Sequence, residues 1–183
     1  MVSFEPLIAS YEPSDESEAL HRQAMLDLLR RTGDPFSRSQ FDPGHFTASC
    51  FIVDDAARLL LHHHRRLDRW LQMGGHLEPG ESPVEAALRE GEEESGLADL
   101  RLLREEIADL DVHVIPAGRG EPEHRHFDVR YIARTASPAS IAADARESRN
   151  LMWFDLGEAA AMMGSEESLR VIRKIRRLVR CTR

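Results

Sequence analysis

Between Ser82 and Gly96 the chain spells out both ends of a helix, and this segment constrains the fold more than any other. Ser82 fits the N-cap, Pro83 fits the first helical position, and Glu85 completes a capping box. Val84, Ala87, Leu88 and Gly91 recur at helical spacing and make an apolar stripe, and Gly96 supplies a left-handed stop. The pattern predicts a helix from about Ser82 to Ser95 with one buried face. Gly91 costs roughly 1 kcal/mol against Ala inside a helix, so another backbone is expected to come close there. The preceding stretch, Gly74 to Glu81, holds three glycines and reads as a loop.

The polar side of this helix works against its stability. Glu90, Glu92, Glu93 and Glu94 crowd the last turns, at the negative end of the helix dipole. Glu90 also lies beside Glu93 and Glu94, three and four residues on, where like charges repel. Hard oxygen donors on a short helical face suit Mg²⁺ or Mn²⁺, which arrive with substrate phosphates; the other reading is a solvated acidic face. His76 to Ser95 carries seven glutamates against one arginine, a local −6 of the chain's −8. From Ser165 to Arg183 seven Lys/Arg face two Glu. That basic end reads as an amphipathic helix burying Leu169, Ile172, Ile175 and Val179, with its bases solvated.

The chain has 183 residues, 42% hydrophobic and 31% charged, enough for one domain with its own core. Net acidity argues against a nucleic-acid partner, no apolar run is long enough for a membrane helix, and no secretory leader is readable. Cys50 and Cys181 show no framework spacing, so a reducing, cytoplasmic setting is the expectation.

Along the chain, residues 1–13 read as an irregular lead-in. Asp15 and Glu18 then suggest a capping box opening a helix through Leu20, Ala24, Met25, Leu28 and Leu29. A loop runs from Phe36 to Gly44. Strands are expected at 46–53 and 58–63 around an Asp54-Asp55 turn, then near 101–107, 110–116, 125–134 and 150–154, with helical propensity at 156–163. This is a mixed α/β alternation. His124, His126 and Asp128 alternate, so they project to one strand face, where they suit phosphates, a sugar or a metal, or a plain polar sheet face. His62, His63 and His64 face alternate ways, which argues against a zinc site built from them.

Gly75, Glu81 and the run Arg89-Glu90-Gly91-Glu92-Glu93-Glu94-Ser95-Gly96-Leu97 resemble the Nudix box at every fixed spacing. The one departure is Gly91, where that family usually has a larger aliphatic. The likeness extends loosely over residues 45–180, through Trp70, Gly74-Gly75-His76 and Trp153-Phe154. It implies a Nudix-type α/β/α sandwich with a mixed curved sheet over residues 45–183, and residues 1–44 as an N-terminal helical extension packed on it. It also implies Mg²⁺- or Mn²⁺-dependent attack of water on the pyrophosphate of a small-molecule nucleoside diphosphate derivative.

By that resemblance Glu93 and Glu94 are metal ligands, Glu90 is a ligand or general base, and the Gly74 carbonyl can also coordinate. Arg89 orients the glutamates, with Glu81 as its partner and Gly75 as structural support. Glu147, Glu121 and Glu123 are alternative bases. His76, Trp70, His124, His126 and Asp128 are candidates for substrate binding, with loop structure and core packing as the alternatives for His76 and Trp70. Two other readings share the fold. One is a binding or sensor module; the other is an enzyme like the isopentenyl diphosphate isomerases, for which Cys50 would be the candidate thiol. A homodimer using residues 1–44 is a further expectation.

Overall fold

The computed structural model describes residues 4–31, 33–118, 120–143 and 148–181. The elements run α1 (Phe4–Ser10), α2 (Glu16–Arg31), β1 (Gly44–Val53), β2 (Leu59–His64), β3 (Arg69–Leu71), β4 (Met73–His76), α3 (Pro83–Ser95), β5 (Arg101–Leu102), β6 (Asp109–Ile115) and β7 (His124–Arg134). After a 3-10 turn come β8 (Ser148–Phe154), α4 (Leu156–Met163) and α5 (Glu166–Cys181). β1 and β7 run parallel along their length, while every other pairing is antiparallel: β1 with β2 and β4, β2 with β3 and β8, β7 with β5 and β6. The sheet is therefore mixed. Among the described residues, no helix is long and apolar enough to cross a membrane.

β1 is buried on both faces, so it reads as a near-continuous apolar run. Phe46, Ala48, Cys50 and Ile52 point into a core shared with Ile8 of α1, Met25 and Leu28 of α2, and Ala86 and Ala87 of α3. Phe51 and Val53 face the other way, with Leu59, Leu61 and Ile132, into a second core under α4 and α5. Helices thus cover both faces of the sheet. Toward its other end, the face that carries Phe51 holds polar residues: His45, Thr47 and Ser49 of β1 beside His126 and Asp128 of β7.

Several sequence expectations need correction. The lead-in contains helix α1, and the glycine stretch begins as strand β4, because residues 73–76 pair with β1 from Cys50 to Thr47. The predicted strand at 101–107 shortens to β5. Met25 and Leu28 of α2 are buried and Ala24 and Leu29 pack against the core as expected, but Leu20 is exposed, and Glu18 and Leu26 are buried as well. Asp15 does accept the Glu18 N–H at 2.8 Å, but Glu18 does not close the box. Its carboxylate accepts from Ser14, Tyr11, the Leu110 N–H and Lys174.

α5 is corrected in the same way. Val171, Ile172 and Ile175 are buried, but so is Arg170, and Lys174 turns inward. Both reach the fully buried Asp109 at 2.8 Å. Internal carboxylates capture these two bases, which amphipathicity alone assigns to solvent.

The buried charges make acid sensitivity predictable. Burial opposes the Glu18 charge, but hydrogen bonds from Lys174, Ser14 and Tyr11 outweigh it and lower its pKa from 4.5 to about 2. A carboxylate depressed in the folded state stabilises it above the unfolded pKa and stops doing so as the proton binds. Thermal stability should therefore fall as pH drops from about 4.5 to about 2. Glu18→Gln should be less stable at neutral pH and show a shallower slope in that window. Melting temperatures with the same slope in both proteins would contradict this assignment.

Candidate active site

α3 is capped at both ends as its sequence requires. The Ser82 side chain accepts from the Glu85 N–H, the Glu85 carboxylate accepts from the Ser82 N–H at 2.8 Å, and Gly96 sits in the left-handed region with φ 72°. Such a cap contributes about 1 kcal/mol and fixes where the helix starts, hence which residues face β4. The tight point at Gly91 is against side chains rather than backbone. A Cβ there would lie 2.9 Å from Leu100 Cδ1 and 3.2 Å from Cys50 Cβ and Sγ. Gly91→Ile should therefore destabilise the fold by about 1–3 kcal/mol despite its better helix propensity. An unchanged or raised unfolding midpoint would show that Leu100 yields instead.

Arg89 organises the acidic face. Its Nε and Nη2 donate to the two Glu81 oxygens at 2.8 and 3.0 Å, and Nη1 donates to Glu90 at 2.9 Å and Glu93 at 3.4 Å. Nη2 also donates to the His76 carbonyl at 3.0 Å, tying α3 to β4. The hydrogen bond from Arg89 holds Glu81 below the usual carboxylate range. Glu94 is buried and accepts the Gly74 N–H at 2.9 Å, while Glu93 is mostly exposed. Gly75 has a steric reason to be glycine: a Cβ there would come within 2.5–2.8 Å of the Glu90 carboxylate.

These groups border one open cleft of about 1920 Å³. Gly74, Gly75, Glu81, Arg89, Glu90 and Glu94 line one side, and His76, His126, Asp128 and Glu121 line another. The oxygens of Glu90, Glu93 and Glu94 are not drawn together: Glu90 and Glu93 turn to Arg89, and Glu94 to Gly74. Three carboxylates nonetheless meet a single guanidinium here, and Glu94 adds a fourth beside them. That surplus of hard oxygen donors fits a hard divalent cation.

The polar sheet face divides into two groups. Asp128 accepts from Thr47 and Ser49 and pairs with Arg130 at 2.9 Å, so its carboxylate belongs to a buried charge network rather than to the histidines. His124 and His126 instead cluster with His45, which the sequence reading missed because it stands alone in its segment. His76 packs beside His45 and His126, at ring-centroid distances of 5.0 and 5.2 Å. Burial, reinforced by neighbouring imidazoles, pushes His76 down to about 4 and His126 to about 2, so both are neutral at physiological pH.

Other candidates fall elsewhere. Trp70 meets Phe154 edge-on at 4.9 Å within the second core, while its neighbour Leu71 lines the cleft. Cys50, the thiol named for an isomerase-like reaction, is fully buried against Gly91 and does not line the cleft, and burial raises its thiol to about 12. Glu121 pairs with Arg38 at 3.5 Å. Glu123 is exposed, and Glu147 lies outside the described residues.

The NUDIX domain family model matches residues 43–175. A C. elegans Ap4A hydrolase binary complex superposes with a TM-score of 0.61 at 21% identity, over 74% of this chain and 98% of that one. A NUDIX-family hydrolase from Clostridium perfringens gives 0.53 at 28% identity, over 76% and 98%. The E. coli dihydroneopterin triphosphate pyrophosphohydrolase gives 0.56 at 19% identity, over 72% and 95%. No curated protein matches.

Proposed function

The chain belongs to the Nudix family, whose members include hydrolases, and on that footing we propose that it hydrolyses the pyrophosphate linkage of a nucleoside diphosphate joined to another group. One observation carries this reading. Arg89 holds Glu81 and Glu90 on the wall of a cleft whose next strand supplies Gly74 and Gly75, and reaches Glu93 beside it. The cleft is larger than the roughly 300–1,000 Å³ of a compact ligand pocket and has room for an extended substrate.

Glu93 and Glu94, with the Gly74 carbonyl, are the residues to hold Mg²⁺ or Mn²⁺. The ion, when bound, neutralises charge on non-bridging phosphate oxygens and lowers the pKa of water. Glu90 either joins that shell or takes the proton of the attacking water at its carboxylate. Arg89 is a positioning residue: its forked guanidinium sets the direction of Glu90 and Glu93 by charge-assisted hydrogen bonds. Glu81 holds Arg89 in turn, and the Glu94–Gly74 hydrogen bond fixes the last turn of α3 against β4. His76 and His126, which also line the cleft, are the candidates to meet the rest of the substrate.

Product-resolved assays with Mg²⁺ or Mn²⁺ across nucleotide sugars, dinucleotide polyphosphates, oxidised nucleoside triphosphates and ADP-ribose test the proposal. Turnover of one class, with products cut between two phosphorus atoms, is expected. Silence across the panel with both metals would overturn it.

A further inference from the structure

The imidazoles at the starts of β1 and β7 form a second constellation that the carboxylate chemistry does not use. β1 and β7 run parallel in a register that pairs His45 with His126, and His124 lies two residues earlier on β7. Since residues two apart share a face, the three rings stand side by side. One ligand atom from each falls within 4.8 Å of the others, and these three form the one such group among the described residues.

The hydrogen bonds around the cluster set its tautomers. His45 Nδ1 lies 2.9 Å from the Gln40 carbonyl, and His124 Nδ1 lies 2.8 Å from the Pro122 carbonyl. A carbonyl only accepts, so each Nδ1 carries a proton, and the lone pair of the neutral ring is on Nε2. This backbone-oriented imidazole is the arrangement that supports metal-binding histidines. His45 is fully buried, and its Nε2 has no hydrogen-bond partner. A buried acceptor left in that state costs about 1–3 kcal/mol unless something fills the place.

We propose that His45, His124 and His126 bind a zinc-class divalent cation, at a site separate from the carboxylates of α3. Three imidazole ligands with no oxygen donor among them favour Zn²⁺ over Mg²⁺, the reverse of the preference on α3. Three protein ligands leave a tetrahedral ion one further position. His76 neighbours both His45 and His126 but is not one of the three, so that position is left to water or a substrate atom. The site would also tie the start of β1 to the start of β7, next to the strand whose His76 carbonyl holds Arg89.

The test uses the full chain without a polyhistidine tag, stripped by chelator and titrated with Zn²⁺ alone, with Co²⁺ as a spectroscopic stand-in. About one equivalent should bind, with tetrahedral Co²⁺ absorption and a raised melting temperature. His126→Asn, on the more open side of the cluster, should weaken binding by more than the roughly 10–100-fold that loss of a mere supporting group costs. His45→Asn should behave likewise, while Glu93→Gln should leave Zn²⁺ binding unchanged. The wild-type Co²⁺ spectrum decides the matter even if His45→Asn fails to fold. Absence of a tetrahedral spectrum, binding that survives His126→Asn, or binding lost in Glu93→Gln would each overturn the site.

Discussion

Replacing Glu93 and Glu94 together by Gln should cut turnover by roughly 10²-fold or more while leaving the protein folded. The size follows from the role: the two carboxylates carry the charge that holds the cation, and an amide carries none. The preserved fold follows from the geometry. Glu94 is buried with one oxygen on the Gly74 N–H at 2.9 Å, and a glutamine carbonyl can accept the same bond. Glu93 is exposed and meets Arg89 only at 3.4 Å, so its charge contributes little to stability. Assays at saturating Mg²⁺ and Mn²⁺ beside melting curves check both halves. Turnover near wild type would remove these residues from the mechanism, and a collapsed melting temperature would make their role structural.

The largest stability effect should come from Arg130→Met. Arg130 is buried between Asp109, Asp111 and Asp128, at 3.3, 2.8 and 2.9 Å, and all three are themselves buried. Burial opposes the charge on Asp111, yet Arg130 and His113 hold its carboxyl well below the usual range. Taking one partner out of such a group strands the other charges, a loss of about 3–5 kcal/mol. For a domain of this size that lowers the melting temperature by on the order of 10 °C. Arg134→Met removes an exposed pair with Asp55 and should change stability by less than about 1 kcal/mol. Equal melting temperatures for the two variants would show that the buried network is not what holds β6 to β7.

What the sequence reveals and what it hides follows from the range of each interaction. α3, its caps and the fan of carboxylates around Arg89 are legible because their partners lie within a few residues on one helix. The mixed sheet is legible because β1 and β2 carry apolar runs bounded by turns and β7 alternates Phe127, Val129 and Tyr131 with polar residues. β4 is not, because Gly74 and Gly75 lack side chains to pattern and are strand only by pairing with β1. Arg170 and Lys174 read as surface charges because their shared partner, Asp109, is distant in sequence, and Glu18 reads only as a cap because Lys174 and the Leu110 N–H are distant from it too. His45 carries no signal of its own until the parallel register brings it to His126.

The central claim is that water attacks a phosphorus atom in this cleft, and oxygen-18 tests it most directly. The substrate class turned over in the panel would be hydrolysed in ¹⁸O-labelled water, with the metal present and with it chelated, and the products resolved by mass. The account predicts one labelled oxygen on a single phosphate of one product, and no product in the chelated sample. Label on carbon, an unlabelled rearranged product, or equal turnover after chelation would contradict it.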